Sequence, residues 1–479
     1  MNKLNDKGWI DRCEKLVLVL LCILMADCAV FGAGRIIEVG PLGFRLMLFG
    51  LVMVASVPVI FRDFGQLVRT KLIWIFAAFA TWLVLQTVRG VLRGNDIGIL
   101  VSDLKGFCYF VAVLPAICVL NSKARIHAVM KAMLYGSFLL ALISLGFTCL
   151  YKWNYDLVMQ IREVDPHEFF VDLSAIVKRK VPRLFFKSSN YMLTGCAFSV
   201  YFYVTEKGKR RWHYPVITGC CLFGMLMSYT RAVYLAAFIA AALLVIVFQF
   251  CGTREFRVRL WKHLVAATLV FAVITGGLGA MIGTNYIEHG LRRVVSTFGT
   301  DDNAEASAVE ASPVRLAVPD KTASVVSLSS TAQKNTPEKE TSRAEIMTSR
   351  SDAVREMTLE EMHIYMDEAP LMGHGLGKAI TCRYGGLTEY FYHDVIVKTG
   401  VIGLILYLLP VLWMLVGLVK KDLGNPDKLI LGSWMAVLLG FMGFSYFNPY
   451  MNASLGILFY CCTVGVFVNL KCKRNFDTN

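Results

Sequence analysis

Apolar runs of about 18–22 residues recur along this chain, and a helix of that length crosses the roughly 30 Å hydrocarbon core of a bilayer. No water inside that core can satisfy peptide groups, so such runs must fold as helices. The expected fold class is all-α: a polytopic membrane protein of about twelve transmembrane helices. The spans fall near residues 16–34, 43–61, 72–88, 98–120, 128–150, 190–205, 214–230, 232–250, 264–284, 396–419, 429–447 and 452–470. Composition agrees, with 56% hydrophobic and 18% charged residues, where soluble domains carry about a quarter charged. Nearly all of the 14 cysteines lie inside apolar runs and read as small buried side chains.

The loops between these spans set a topology. Lys3, Lys7, Arg12 and Lys15 precede the first span, and Arg62, Arg69 and Lys71 follow the second. Basic clusters recur at every alternate loop, at 123–131, 207–211, 254–262, 420–428 and 471–474. Short loops rich in Lys and Arg stay cytoplasmic. Both termini are then expected inside, and the first span reads as a retained anchor rather than a cleaved signal. Topology also accounts for the net charge of +14, so no nucleic-acid partner is needed.

Two long loops fall on the opposite face, which is the periplasm in a Gram-negative cell. Residues 1–284 thus carry nine spans with an outer loop near 151–189. Residues 285–395 form a large periplasmic loop bearing helices, and 396–479 hold the last three spans and a cytoplasmic tail. Within the large loop, 300–342 is Ser, Thr, Ala, Glu and Lys and reads as disordered. Helical periodicity returns near 343–368, and Pro370 ends it.

The run from Tyr214 to Phe250 would be over about 50 Å long as one helix. It must be two spans joined by a tight turn. Arg231, its single charge, marks the turn, because a mid-bilayer arginine is costly and functional by default.

The remaining candidates gather around the last outer loop. His393 stands just before an apolar span, and its imidazole can take a proton near neutral pH; an interfacial histidine satisfied locally is the plain alternative. Arg355 is one charge on a polar helix, ordinary unless it grips an anion. The Gly373-His374-Gly375-Leu376-Gly377 segment follows a helix rather than a strand. Its glycines therefore fit a sharp turn after Pro370 better than a phosphate cradle. In the first outer loop Lys178, Arg179, Lys180, Arg183 and Lys187 either snorkel or contact anionic headgroups. Asp103 and Lys105 are candidates to pair with each other. His363, His374 and His393 lie near several carboxylates in spacings that fit no metal motif, so no metal and no cofactor are expected.

Arg355, then Pro370-Leu371-Met372-Gly373-His374-Gly375-Leu376-Gly377, then His393 before Gly400-Val401-Ile402-Gly403-Leu404 form an ordered set. Together with Ser228-Tyr229-Thr230-Arg231 and one large outer loop near the C-terminus, this set resembles the O-antigen ligase family, whose relatives are the O-antigen polymerases and bacterial O-oligosaccharyltransferases. The likeness covers roughly residues 180 to 450. Two departures stand out: Asp394 follows His393 where these proteins commonly have Asn, and Leu359 replaces a common aromatic.

The resemblance implies a metal-independent, inverting glycosyltransferase of the inner membrane. Its donor would be a polyprenyl-diphosphate-linked glycan, and its acceptor a sugar of lipid A–core, with membrane lipids around both. His393 would be the general base, and Arg231 and Arg355 would hold the diphosphate. Lys180, Arg183 and Lys187 from the first loop, with His374, Tyr392 and Asp394 near the base, would bind substrate. Glycan polymerase, protein O-oligosaccharyltransferase and lipid-linked-glycan transporter remain alternatives.

Overall fold

In the computed structural model the described residues are 2–32, 38–39, 42–164, 184–283, 285–288, 339–382, 389–420 and 423–472. They fold almost entirely as helices: α1 (Asn2–Val30), α2 (Phe44–Arg69), α3 (Lys71–Leu92), α4 (Ile97–Phe107), α5 (Val113–Val119), α6 (Lys123–Trp153), α7 (Tyr155–Val164), α8 (Met192–Thr205), α9 (His213–Met227), α10 (Arg231–Cys251), α11 (Arg254–Ile282), α12 (Lys339–Glu368), α13 (Phe391–Val419), α14 (Asn425–Phe444) and α15 (Ser454–Cys472). Extended pairing among the described residues is confined to two antiparallel two-residue strands, β1 (Glu38–Val39) and β2 (Leu42–Gly43).

Nine of these segments are long and apolar enough to cross a membrane: α2, α3, α4 running on through α5, α6, α10, α11, α13, α14 and α15. The chain is a multi-pass membrane protein. Helices also occupy the other three expected spans, but α8 and α9 have only 14 and 15 residues, short of the roughly 20 a bilayer crossing needs. Packing explains how they persist. From Met192 to Val204 every residue of α8 except Cys196 is buried, so protein rather than lipid surrounds it. Large apolar side chains such as Val54, Phe61, Phe238 and Val273 instead face outward, as a lipid-facing surface requires.

The Tyr214–Phe250 run breaks as its charge pattern requires. Helix α9 stops at Met227 and α10 starts at Arg231. Between them Tyr229 adopts φ 44, a left-handed conformation costly for a side chain of its size. The Ser228 hydroxyl donates to the Met225 carbonyl at 2.7 Å, and that of Tyr234 donates to Leu226 at 2.8 Å. In the large loop, α12 ends at Glu368, just ahead of Pro370. It begins at Lys339, so residues 339–342 of the stretch read as disordered are helical. Residues 300–338 lie outside the described residues.

Helices α10 and α14 pack antiparallel through small residues. Gly432 lies against Val247, Gly440 against Ala236 and Ala240, and Gly443 against Ile239. Arg231, heading α10, is therefore at the Phe444–Tyr446 end of α14. Beneath that end lies an aromatic core. The Tyr407 ring sits 5.6 Å from Phe110, 5.6 Å from Tyr460 and 5.2 Å from Phe391.

Buried charges are paired at both ends of the bundle. Glu14 accepts from Arg62 at 2.8 Å, from Asn121 at 2.7 Å and from Arg125, tying α1 to α2 and α6. At the other end Arg45 donates to Asp27 at 2.7 Å and to the Phe31 carbonyl, and its Nη1 reaches Gly32 O and Ser454 Oγ, each at 3.2 Å. Removing one partner of such a pair strands a charge in low dielectric, at about 3–5 kcal/mol. Arg45→Met should therefore lower the melting temperature of the purified protein sharply, and adding Asp27→Asn should recover part of the loss. Equal melting of the single and double variants would refute this coupling.

Candidate functional site

The glycine-rich segment folds back into the bundle and docks on two helices at once. On one side His374 N donates to Val397 O at 2.7 Å, Gly375 N to Lys398 O at 3.0 Å and Val401 N to Pro370 O at 2.9 Å. These bonds exist because α13 is broken at Gly400, whose φ is 70, which frees the Val397 and Lys398 carbonyls and the Val401 N–H that a continuous helix would occupy. On the other side Leu376 N donates to Gln86 O at 3.0 Å, and a Cβ on Gly375 would lie 2.5 Å from Gly90 N. Gly373, Gly375 and Gly377 all have positive φ. The glycines thus serve backbone contact and a tight turn. Asn95 Nδ2 closes the turn from outside, reaching the carbonyls of His374, Gly375 and Leu376 at 3.2, 3.3 and 2.9 Å.

A buried ion triad locks this arrangement. Lys398 Nζ is 2.8 Å from Asp103 Oδ1 and 2.9 Å from Asp394 Oδ1, and Asp103 Oδ2 accepts from Gly377 N at 3.0 Å. The partner of Asp103 is therefore Lys398, nearly three hundred residues on (separation 295), and not its neighbour Lys105, which is exposed. Sequence distance hid the pairing.

Helix α12 docks across the start of α13 through a small apolar cluster of Met362, Ile380, Tyr390 and Val397, with Leu359 and Tyr365 against it. Leu359 thus fills a packing role. Glu361 staples the loop to the helix: its carboxylate accepts from Thr381 N at 2.7 Å, Thr381 Oγ1 at 2.8 Å and Cys382 N at 3.0 Å. Burial alone would raise this carboxyl, but the two backbone N–H donors and their side chains outweigh it and hold Glu361 at about 2.

His393 lies in the first turn of α13, half-buried among rings. His363 is 5.6 Å away, Tyr390 5.8 Å and Tyr446 6.2 Å between centroids. Its Nδ1 is buried with no hydrogen-bond partner. A buried unpaired nitrogen of this kind is uncommon and calls for an explanation. His363, weighed from sequence only as a metal ligand, is brought against His393 by α12. Arg355 sits eight residues earlier on α12, about 12 Å along its axis, and pairs with Glu389 at 3.4 Å. Both members are partly exposed, so that pair is weak and screened. The contact between Tyr446 and His393 puts His393 at the same end of α14 as Arg231. The three expected catalytic residues therefore share one end of the bundle.

The expected substrate-binding residues are less uniform. Lys187 is exposed at that same end, against Gly32; Lys180 and Arg183 lie outside the described residues. Tyr392 donates to the Met442 carbonyl at 2.8 Å, tethering α13 to α14, and Asp394 belongs to the Lys398 triad. His374 is buried, with Arg93 Nη1 at 3.0 Å from Nδ1 and the Tyr365 carbonyl at 2.9 Å from Nε2. This fits a neutral ring that donates through Nε2. Burial pushes its pKa down, and the nearby Lys378 and Arg93 cations add to that. These three side chains hold the frame rather than present free groups. Among the described residues no three His, Cys, Asp or Glu side chains gather as metal ligands would.

The chain matches no protein-family model, and none of the curated proteins matches it significantly.

Two outcomes follow from this frame. Gly375→Ala meets both a positive φ and the Gly90 backbone, so it should destabilise by more than about 2 kcal/mol. Gly94→Ala has φ 70 with open space around it and should cost only about 1–2 kcal/mol; equal thermal shifts would contradict the docking. The depressed Glu361 carboxyl contributes stability that is complete above its ordinary value near 4.5 and is lost as pH falls toward 2. The protection factors of the 381–382 amides, taken relative to the intrinsic exchange rate at each pH, should therefore fall on acidification below 4.5 in the wild type and change little in Glu361→Gln.

Proposed function

We propose that this protein is a glycan transferase working on a lipid-linked donor at the end of the bundle that carries His393. The observation that carries the reading is the His393 imidazole, half-buried with an unpartnered Nδ1, at the end shared by Arg231 and Arg355. An acceptor hydroxyl gives its proton to His393 as its oxygen attacks the anomeric carbon. The bond from that carbon to the diphosphate breaks, and polyprenyl diphosphate leaves with the electron pair. Direct displacement inverts the anomeric centre. Arg231 and Arg355 bind the phosphates and offset the charge that develops on them. The weak Arg355–Glu389 pair suits this role, because a diphosphate can replace one partly exposed carboxylate.

The order of Arg355, the Pro370–Gly377 segment and His393 supports the O-antigen-ligase-like form of this reading, with lipid A–core as acceptor. In it the chain crosses the inner membrane twelve times. Both termini are cytoplasmic, beside the basic loops, and the large loop and site are periplasmic. General-base catalysis contributes about 10²–10⁴-fold. His393→Ala should therefore reduce transfer from a purified polyprenyl-diphosphate glycan by that range while melting as the wild type does. Undiminished transfer by that variant would remove the base. Transfer in detergent, offered lipid A–core, a second lipid-linked glycan or a protein in turn, separates ligase, polymerase and oligosaccharyltransferase. No transfer to any of them favours a transporter.

A further inference from the structure

Three cations gather beside the glycine-rich turn. Arg89 and Arg93 are one turn apart on the last turn of α3, where like charges repel. Arg93 reaches His374 Nδ1 at 3.0 Å. The His374 ring is 5.3 Å from that of Tyr365, and Lys378 Nζ lies 3.9 Å from the centre of the Tyr365 ring. The Nε of Arg89 is buried with no hydrogen-bond partner. Among the described residues none of the three cations makes a salt bridge. The acidic groups nearby are otherwise engaged or peripheral: Asp96 caps α4 through Ile99 N at 2.8 Å, Asp103 holds Lys398, Glu361 accepts from Tyr365 Oη at 3.0 Å and from Thr381 and Cys382, and the exposed Glu368 is 3.6 Å from His374.

A helix C-terminus favours one cation in its last turn, but that does not explain two guanidiniums and an ammonium around one turn. The position adds weight. Helix α3 starts at Lys71, among the basic loops, so Arg89 and Arg93 lie at the opposite end, where topology alone does not call for cations. A compact, multiply charged oxyanion at the membrane surface has the complementary chemistry, since guanidinium forks grip phosphate oxygens.

We infer that Arg89, Arg93 and Lys378 form a binding site for a phosphate monoester at the membrane surface, carried by a lipid headgroup. The site does not include His393 and does not require the transfer reading; if that reading holds, the phosphate belongs to the acceptor lipid. The experiment measures binding alone. Protein in detergent is titrated with short-chain phosphatidic acid, short-chain phosphatidylcholine and inorganic phosphate, and bound species are counted by native mass spectrometry. Phosphatidic acid should bind at least about tenfold more tightly than phosphatidylcholine. Arg89→Gln and Lys378→Gln, which disturb no internal hydrogen bond, should each weaken it several-fold. Arg93→Lys keeps the charge and should retain most of the binding, whereas Arg93→Gln should not. Competition by inorganic phosphate would mean that the phosphate group alone is recognised. Its failure to compete would mean that the interfacial headgroup is needed. Equal binding of the two lipids, or of wild type and the Gln variants, would overturn the site.

Discussion

The ammonium of Lys398, buried between Asp103 and Asp394, is the contact on which the rest of this end of the molecule depends. An isolated charge in that position would be prohibitive. Two carboxylates stabilise it, and the backbone N–H of Gly377 binds one of them in turn. Through this triad α4, α13 and the glycine-rich turn become one body. The turn then wedges between α3 and the first residues of α13, and α12 lies over both. His393, in the half-turn just before Asp394, inherits its position from that assembly. A partner removed from the triad would leave charge unbalanced inside it, so the arrangement tolerates little rearrangement.

Much of this architecture is legible in the sequence. Apolar run length gives the helices' places but not all their ends: α1 starts at Asn2, α2 runs on to Arg69 and α11 starts at Arg254, because polar and charged turns outside the apolar runs continue the helix. The lone Arg231 in an overlong run marks the break that Tyr229 makes, and Pro370 marks where α12 has ended. The count of full-length crossings is less legible. Periodicity and hydropathy do not reveal that α8 and α9 are short because neighbours enclose them. Local signals also could not find the partner of Asp103, which lies nearly three hundred residues away, nor that of Asp27, because a pairing of that kind has no local pattern.

The site divides in the same way. Of the residues that carry the proposed chemistry, only Arg231 stands out by position alone, as a single charge in an apolar run; His393 and Arg355 have plain alternatives and are singled out by the order of the motif around them. The residues around them are less legible. Tyr392 and Asp394 flank His393 in the chain and His374 precedes it in the glycine-rich turn, yet their polar atoms are directed into the protein, to Met442, to Lys398, and to Arg93 and Tyr365. Adjacent residues on a helix face different directions, about 100° apart. His363 shows the converse: thirty residues from His393 in sequence, it meets it because α12 crosses the start of α13. The unusual Leu359 is explained by that same crossing, where it fills an apolar gap.

The triad has a consequence for how the chain is made. Asp103 enters the membrane with α4, while Lys398 lies 295 residues further along. At about 5–20 residues per second of synthesis, α3 and α4 wait roughly 15–60 s before the counter-charge reaches them. During that interval Asp103 lacks the ammonium it contacts in the folded protein. The α4 end of that triad is therefore completed only once α13 has been synthesised, which couples packing around the glycine-rich turn to the last third of translation.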